Sequence, residues 1–308
     1  MEIKPLNLPI ELRLFRLLHS RMSFSNEVMK HYQNLEKGFT GEKLMSDYLK
    51  LLTSEMHILH NLEFEINNTK FQIDHLLISK HSIIFIEVKY YGGDYEVKGH
   101  DWICRWNGEK ITNPLRQVER TEILLGKLLQ SIGFKLNIEP YLVFNHPEFW
   151  LYNAPQDPSI IYPTQMKRFI GNLDRKNGSL NQSHLALAKK LMEVAKDESP
   201  YKNLPAYSFI ELQKGVQCPK CRSFMSFKNR ITLGCTKQED TCDYTETVES
   251  GTLRCVEEVR LLFPEMKITV KDIYEWCGRE ISDRTIERIL TKHYKVVFHG
   301  PYSYYIVD

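Results

Sequence analysis

Phe71-Gln72-Ile73-Asp74-His75-Leu76-Leu77-Ile78, a break at Ser79-Lys80-His81, and then Ser82-Ile83-Ile84-Phe85-Ile86-Glu87-Val88-Lys89 form the stretch on which the fold turns. Two apolar, β-branched runs about a short polar break read as a β-hairpin. With Ser79 and Ser82 closing the turn, the register sets Asp74 opposite Glu87 and Gln72 opposite Lys89. Side chains alternate along a strand, so Glu87 and Lys89 share one face while Val88 points to the other. Two carboxylates and an ammonium then meet at the end of runs too apolar for a solvated face. Like charges directly opposed on a sheet are destabilising, and a bound divalent cation removes the conflict. The plainer alternative is an edge-strand ion pair between Glu87 and Lys89. The register with Asp74 and the apolar run Ile83 to Ile86 favour the site.

Upstream, Gly38-Phe39-Thr40-Gly41 reads as a helix start, followed by Glu42 to Leu52. Met45, Leu49 and Leu52 follow Glu42 at helical spacing, placing it on the buried stripe at the first turn. There it either complements the helix dipole or faces the carboxylate patch as a further metal or water ligand. Residues 1–34 hold Leu12, Phe15, Leu17 and Leu18 among Arg13, Arg16 and Arg21, a short amphipathic helix suited to packing on a neighbouring domain. Leu62 to Ile66 alternates like a strand.

Downstream, Gly92-Gly93 permits a sharp turn or a close approach. Trp102, Arg105 and Trp106 offer flat aromatics and cations that stack on bases, although core packing is the commoner role for Trp. Asn113-Pro114 opens a helix whose core side is Leu115, Val118, Leu125, Leu128 and Leu129, with Gln117 and Arg120 on its first turns. Ile138 to Asn145 is a buried strand, Ile160 to Tyr162 a further candidate, and Leu185 to Ala195 an amphipathic helix. Asp197 to Pro205 is the linker.

Gly38, Gly41-Glu42, Gln72-Ile73-Asp74-His75, Ile86-Glu87-Val88-Lys89, Gly93, Trp102, and Pro114 with Gln117 together resemble the nuclease-related domain (NERD) family, over roughly residues 35–165. That family is similar in turn to the PD-(D/E)xK nucleases. The resemblance implies an α/β fold, with a mixed β-sheet core of restriction-endonuclease-like type flanked by helices. It implies that Asp74 and Glu87, helped by the Val88 carbonyl, hold Mg²⁺ or Mn²⁺. Lys89 would orient or deprotonate the attacking water or stabilise the phosphorane, Glu42 would complete the acidic cluster, and Gln117 would stand beside it. Ile73 replaces the proline of the literal motif. A Lys beside a cation, and buried, is expected to have a lowered pKa.

Cys218-Pro219-Lys220-Cys221 is a zinc knuckle, and Cys235 and Cys242 form a second pair with a longer gap than usual. Strand-like Phe224 to Phe227 and Ile231 to Leu233 lie between the pairs, which makes a small zinc ribbon with structural Zn²⁺. Cys104, Cys255 and Cys277 read as buried small hydrophobes. Helices at Leu253 to Phe263, Val270 to Cys277 and Ser282 to His293 precede strands Lys295 to Phe298 and Ser303 to Val307 about His299-Gly300-Pro301. This looks like a winged helix-turn-helix. Arg284, Arg288 and Lys292 recur opposite Ile286, Ile289 and Leu290, a basic stripe suited to DNA phosphates. Residues 251–308 nonetheless hold nine Lys or Arg against nine Asp or Glu, and winged helices also bind proteins.

The domains expected are thus an N-terminal helical segment at 1–34, the nuclease-like domain at 35–197, the zinc ribbon at 206–250 and the winged-helix-like domain at 251–308. At 308 residues, two or three domains are the natural division. A net charge of +2 confines any nucleic-acid surface to a local patch. Ile10 to Leu18 is broken by Glu11, Arg13 and Arg16 and makes no signal peptide. No run approaches a membrane span, and seven cysteines without a disulfide pattern fit a cytoplasmic protein. The function expected is a Mg²⁺-dependent nuclease acting on nucleic acid, DNA in the first place. Cutting both strands of a duplex ordinarily takes two sites and would suit a homodimer. The rivals are a non-catalytic nucleic-acid-binding regulator and a protein-interaction adaptor.

Overall fold

Ser79 and Ser82 close the central hairpin through their hydroxyls: the Ser82 N–H donates to Ser79 Oγ at 3.1 Å, and the Ser79 N–H donates to the Ser82 carbonyl at 3.0 Å. This turn fixes the register His75↔Ile86, Leu76↔Phe85, Leu77↔Ile84 and Ile78↔Ile83. The computed structural model describes residues 1–176, 178–196, 203–237, 242–300 and 303–307.

In chain order the elements are β1 (Glu2–Lys4), α1 (Ile10–His19), α2 (Asn26–Leu49), β2 (His57–Ile66), β3 (Thr69–Ile78), β4 (Ser82–Lys89), β5 (Gly93–Lys98), β6 (Asp101–Cys104) and β7 (Lys110–Ile111). Then come α3 (Pro114–Ser131), β8 (Asn137–Phe144), β9 (Phe149–Tyr152), β10 (Ile160–Ile161), α4 (Met166–Asp174) and α5 (Gln182–Val194). The remainder is β11 (Met225–Asn229), β12 (Thr232–Cys235), β13 (Thr245–Thr247), α6 (Val248–Leu262), α7 (Val270–Trp276), α8 (Asp283–His293), β14 (Lys295–Val297) and β15 (Tyr304–Ile306). They form two units, Met1–Pro9 with His31–Ser199, and Ile10–Lys30 with Pro200–Asp308. The N-terminal stretch read as one helical segment therefore divides: β1 joins the first unit, and α1 with the start of α2 joins the second. The linker expected at Asp197 to Pro205 lies mostly outside the described residues.

The first unit is built on a six-stranded mixed sheet in the order β1-β2-β3-β4-β8-β10. β4 pairs antiparallel with β3 and parallel with β8, and every residue from Ser82 to Val88 is buried. Such a central strand needs apolar side chains on both faces, which is what the run Ile83 to Ile86 supplies. Ile83 and Phe85 pack with Leu125 and Leu129 of α3 and Leu187 and Leu191 of α5. Ile84, Ile86 and Val88 pack with Met45 and Leu49 of α2 and Phe169 and Leu173 of α4. Fully burying each such side chain contributes about 1.5–3 kcal/mol. A second, four-stranded sheet, β7-β6-β5-β9, adds Tyr95, Trp102, Phe149 and Leu151 to the first of these cores. Trp102 is 1% exposed and stacks on Phe144, so it is a core residue and no base-stacking platform; Trp106 is exposed.

In the second unit, β11, β12 and β13 make a small antiparallel sheet beside the cysteines, and α6, α7 and α8 precede the β14–β15 hairpin. Thr247, Thr269 and Ser282 cap the three helices by accepting N–H bonds from Ser250, Asp272 and Thr285. Leu14, Leu17 and Leu18 of α1 belong to the same core as Val256, Val259 and Trp276. No helix among the described residues is long and apolar enough to cross a membrane.

Candidate active site

The period-two alternation of β3 slips at Asp74. Ile73 and Leu76 face the same core, which strict alternation forbids. The slip lies opposite Asn61, whose φ is 47°, and the β2–β3 ladder passes from His60↔His75 to Leu62↔Ile73. The β3–β4 ladder also ends at His75↔Ile86. Where the next rung would fall, Asp74 Oδ2 accepts the Val88 N–H at 2.8 Å. The Val88 carbonyl points to the same side of its strand as that N–H, toward Asp74.

Glu87 and Lys89 stand on the face of β4 that bears α3. Glu87 Oε1 accepts from Lys89 Nζ at 2.8 Å and from Gln117 Nε2 at 2.6 Å, and Lys89 Nζ also donates to Gln117 Oε1 at 2.9 Å. Asn113 sets the start of α3 by accepting the Leu115 N–H at 2.9 Å, with Pro114 in the first turn, so that Gln117 reaches the sheet. Among the described residues Arg120 makes a long contact to the Lys70 carbonyl, at 3.4 Å.

Glu42 approaches from α2, and here the sequence reading needs correction. The helix begins at Asn26, so Gly38 to Gly41 is no helix start and Glu42 lies far inside, beyond the reach of the N-terminal dipole. Gly41 is there because the helix backbone packs directly on the side chains that follow β4 and β8: a Cβ at this position would lie 2.8 Å from Tyr90 Cβ and 3.3 Å from Asn145 Oδ1. That close approach outweighs the ~1 kcal/mol helix cost of a glycine and brings the Glu42 charge to bear on Asp74.

Burial holds the Asp74 carboxyl well above the usual carboxylate range, with the charges of Glu87 and then Glu42 adding to it; the Val88 N–H and Lys89 only partly offset them. Burial pulls the Lys89 ammonium down, as expected, but Glu87, Tyr91 and Asp74 outweigh it and raise its pKa. Tyr91, absent from that reading, is raised by burial and interacts with both Lys89 and Glu87, while its ring stacks on Tyr95 at 5.3 Å. Continuing the alternation 87, 89, 91 beyond the strand would have found it. His75 takes no part: its Nδ1 lies 2.6 Å from His60 Nδ1, and burial lowers both imidazoles.

Three acids crowded with one ammonium fit a hard divalent cation. The carboxylates are not a closed ligand set, since Asp74 Oδ2 and Glu87 Oε1 are held by protein donors. An acid whose folded-state pKa exceeds its unfolded value opposes folding increasingly as pH rises through that range. Asp74→Asn is therefore expected to raise the melting temperature at pH 7 in EDTA, by roughly 2–4 °C. Mn²⁺ should raise that of the unaltered protein and not that of the variant. A variant no more stable than its parent would contradict the conflict described.

The one closed set among the described residues is Cys218, Cys221, Cys235 and Cys242, whose sulfurs lie within 4.8 Å of one another. Arg222 at φ 65° shapes the knuckle turn, and the Lys237 N–H donates to Cys235 Sγ at 3.4 Å. Four thiolates with no open position are consistent with a structural Zn²⁺ site. Arg284 and Arg288 are exposed on α8, whereas Lys292 is drawn 2.7 Å from Glu249 Oε1, which also meets His293 Nε2 at 2.6 Å.

These features define a mixed α/β domain built on a six-stranded mixed sheet. Residues 37–145 match the sequence model of the family described as nuclease-related domain, NERD, which covers less than half of the chain. No curated protein and no solved structure matches the chain significantly.

Proposed function

We propose that the first unit is a Mg²⁺- or Mn²⁺-dependent nuclease hydrolysing phosphodiester bonds, with DNA as its substrate. The observation that carries this reading is the meeting of Asp74, Glu87 and Glu42 with Lys89 and Gln117, from the four elements α2, β3, β4 and α3, within a domain matched by a nuclease-related family. Asp74, Glu87 and the Val88 carbonyl would hold the cation, with Glu42 adding charge; once bound, it supplies charge neutralisation and water activation near neutral pH. Lys89, charged at neutral pH, donates to the phosphate oxygens as negative charge builds on them. Gln117 bonds both the Lys89 ammonium and the Glu87 carboxylate, keeping both on their working face. In the second unit the exposed Arg284 and Arg288 provide phosphate contacts for DNA, with Lys292 available only by leaving Glu249.

The test is cleavage of supercoiled, linear and single-stranded DNA with Mg²⁺ or Mn²⁺, beside Asp74→Ala. Metal-dependent cleavage that disappears in the variant is expected. Intact DNA binding with no cleavage under any metal would instead leave a nucleic-acid-binding regulator.

A further inference from the structure

The helix that carries Glu42 and the strand that carries Glu87 and Lys89 are spliced at one point, and Asn145 is the splice. Asn145 directly follows β8, whose last rung pairs Phe144 with Lys89. Its backbone N–H donates to the Lys89 carbonyl at 3.4 Å, and its side-chain Nδ2 donates to the Gly41 carbonyl at 2.8 Å. The Gly41 carbonyl and the Glu42 N–H belong to a single planar peptide unit. Fixing the one therefore fixes the direction in which the Glu42 side chain leaves the helix. The splice is tight: Asn145 is 4% exposed, and Tyr90 Cβ occupies the space that a Cβ on Gly41 would need. Among the described residues the buried Asn145 Oδ1 has no hydrogen-bond partner, a cost the protein bears in keeping an asparagine here. A buried amide satisfied on one atom only is weak as a stabilising device, and a hydrophobic residue would pack the junction at lower cost.

We propose that Asn145 is a positioning residue of the cation site, acting through Glu42. The inference rests on the carboxylate reading given above and deepens it. Outer partners that aim a ligand typically change metal affinity by 10–100-fold when removed. A residue that only stabilises the fold would not act through Glu42 alone.

The experiment is calorimetric titration of Mn²⁺ into the full chain with its four-cysteine site loaded with Zn²⁺. The proteins compared are the unaltered chain, Asp74→Ala, Glu42→Gln, Asn145→Ala and the double variant Glu42→Gln/Asn145→Ala. Asn145→Ala is expected to weaken Mn²⁺ binding by roughly 10-fold or more, and to add nothing in the Glu42→Gln background. Unchanged affinity in Asn145→Ala, or losses that multiply in the double variant, would overturn the proposal. If Asn145→Ala does not fold, Gly41→Ala keeps Asn145 and pushes the same helix away from Tyr90; it should weaken Mn²⁺ binding likewise, and unchanged affinity there overturns the proposal too. Failure of the unaltered chain to bind Mn²⁺, or binding undiminished by Asp74→Ala, would overturn the carboxylate reading itself, an outcome distinct from the others.

Discussion

Lys89→Ala is expected to lose about 10³-fold in cleavage rate while binding Mn²⁺ as tightly as the unaltered protein, or more tightly. The two halves of this result come from one geometry. The ammonium lies 2.8 Å from Glu87 Oε1 in a side chain only 18% exposed, so it is the nearest positive charge to the acids that would hold the cation. Removing it takes away a competitor for Glu87 and leaves the oxygens in place. Chemistry is another matter: with its pKa raised by Glu87, Tyr91 and Asp74 against the pull of burial, Lys89 keeps its proton at neutral pH. A charged donor fixed at the reacting phosphate stabilises charge that develops only in the transition state, and its loss appears in kcat rather than in binding. Cleavage in the variant within tenfold of the parent would remove Lys89 from the chemistry. Loss of Mn²⁺ binding would make it a structural partner of Glu87.

Much of this site was legible from local pattern. The hairpin register, the shared face of Glu87 and Lys89, and the start of α3 at Asn113-Pro114 all follow from short-range rules, since turn closure, pleat and capping act over a few residues. The errors arose where a distant segment decided the local structure. Two glycines three apart looked like the beginning of a helix, yet Gly41 is interior because Tyr90 lies against it. The slip at Asp74 depends on the positive φ of Asn61 on the neighbouring strand, which no alternation within β3 reveals. β9, in contrast, alternates buried Phe149 and Leu151 with exposed Trp150 and Tyr152, a pattern present in the sequence that could have been read as a strand.

Arg21→Ala is expected to destabilise the second unit by about 3–5 kcal/mol, the cost of stranding a buried charge. Arg21 follows α1, and its side chain has no exposure. Nη2 donates to Glu258 Oε2 at 2.7 Å and to the Gly215 carbonyl at 3.0 Å, and Nη1 donates to the Gln213 carbonyl at 2.7 Å. The guanidinium also lies 4.1 Å from the centre of a Trp276 ring whose Nε1 donates to the same Glu258 oxygen at 3.1 Å. Alanine leaves Glu258, 3% exposed, with Trp276 and the 3.3 Å contact of Arg254 as its remaining donors, and it leaves two carbonyls without this partner. Amide exchange in α6 is the measurement, and the slowest amides should exchange roughly two to four powers of ten faster in the variant. Arg21→Met with Glu258→Gln should recover part of the loss, because the pair is then removed together; a double variant worse than Arg21→Ala would refute the buried-charge account. The same contacts govern how the chain can be cut. A truncated chain ending near residue 205 would keep Leu14, Leu17 and Leu18 of α1 while deleting Val256, Val259 and Trp276, which share their core. Loss of DNA binding after that deletion would then report an uncovered apolar helix as readily as a missing DNA contact, whereas Arg284→Ala with Arg288→Ala, both exposed, leaves the core whole and isolates the contact.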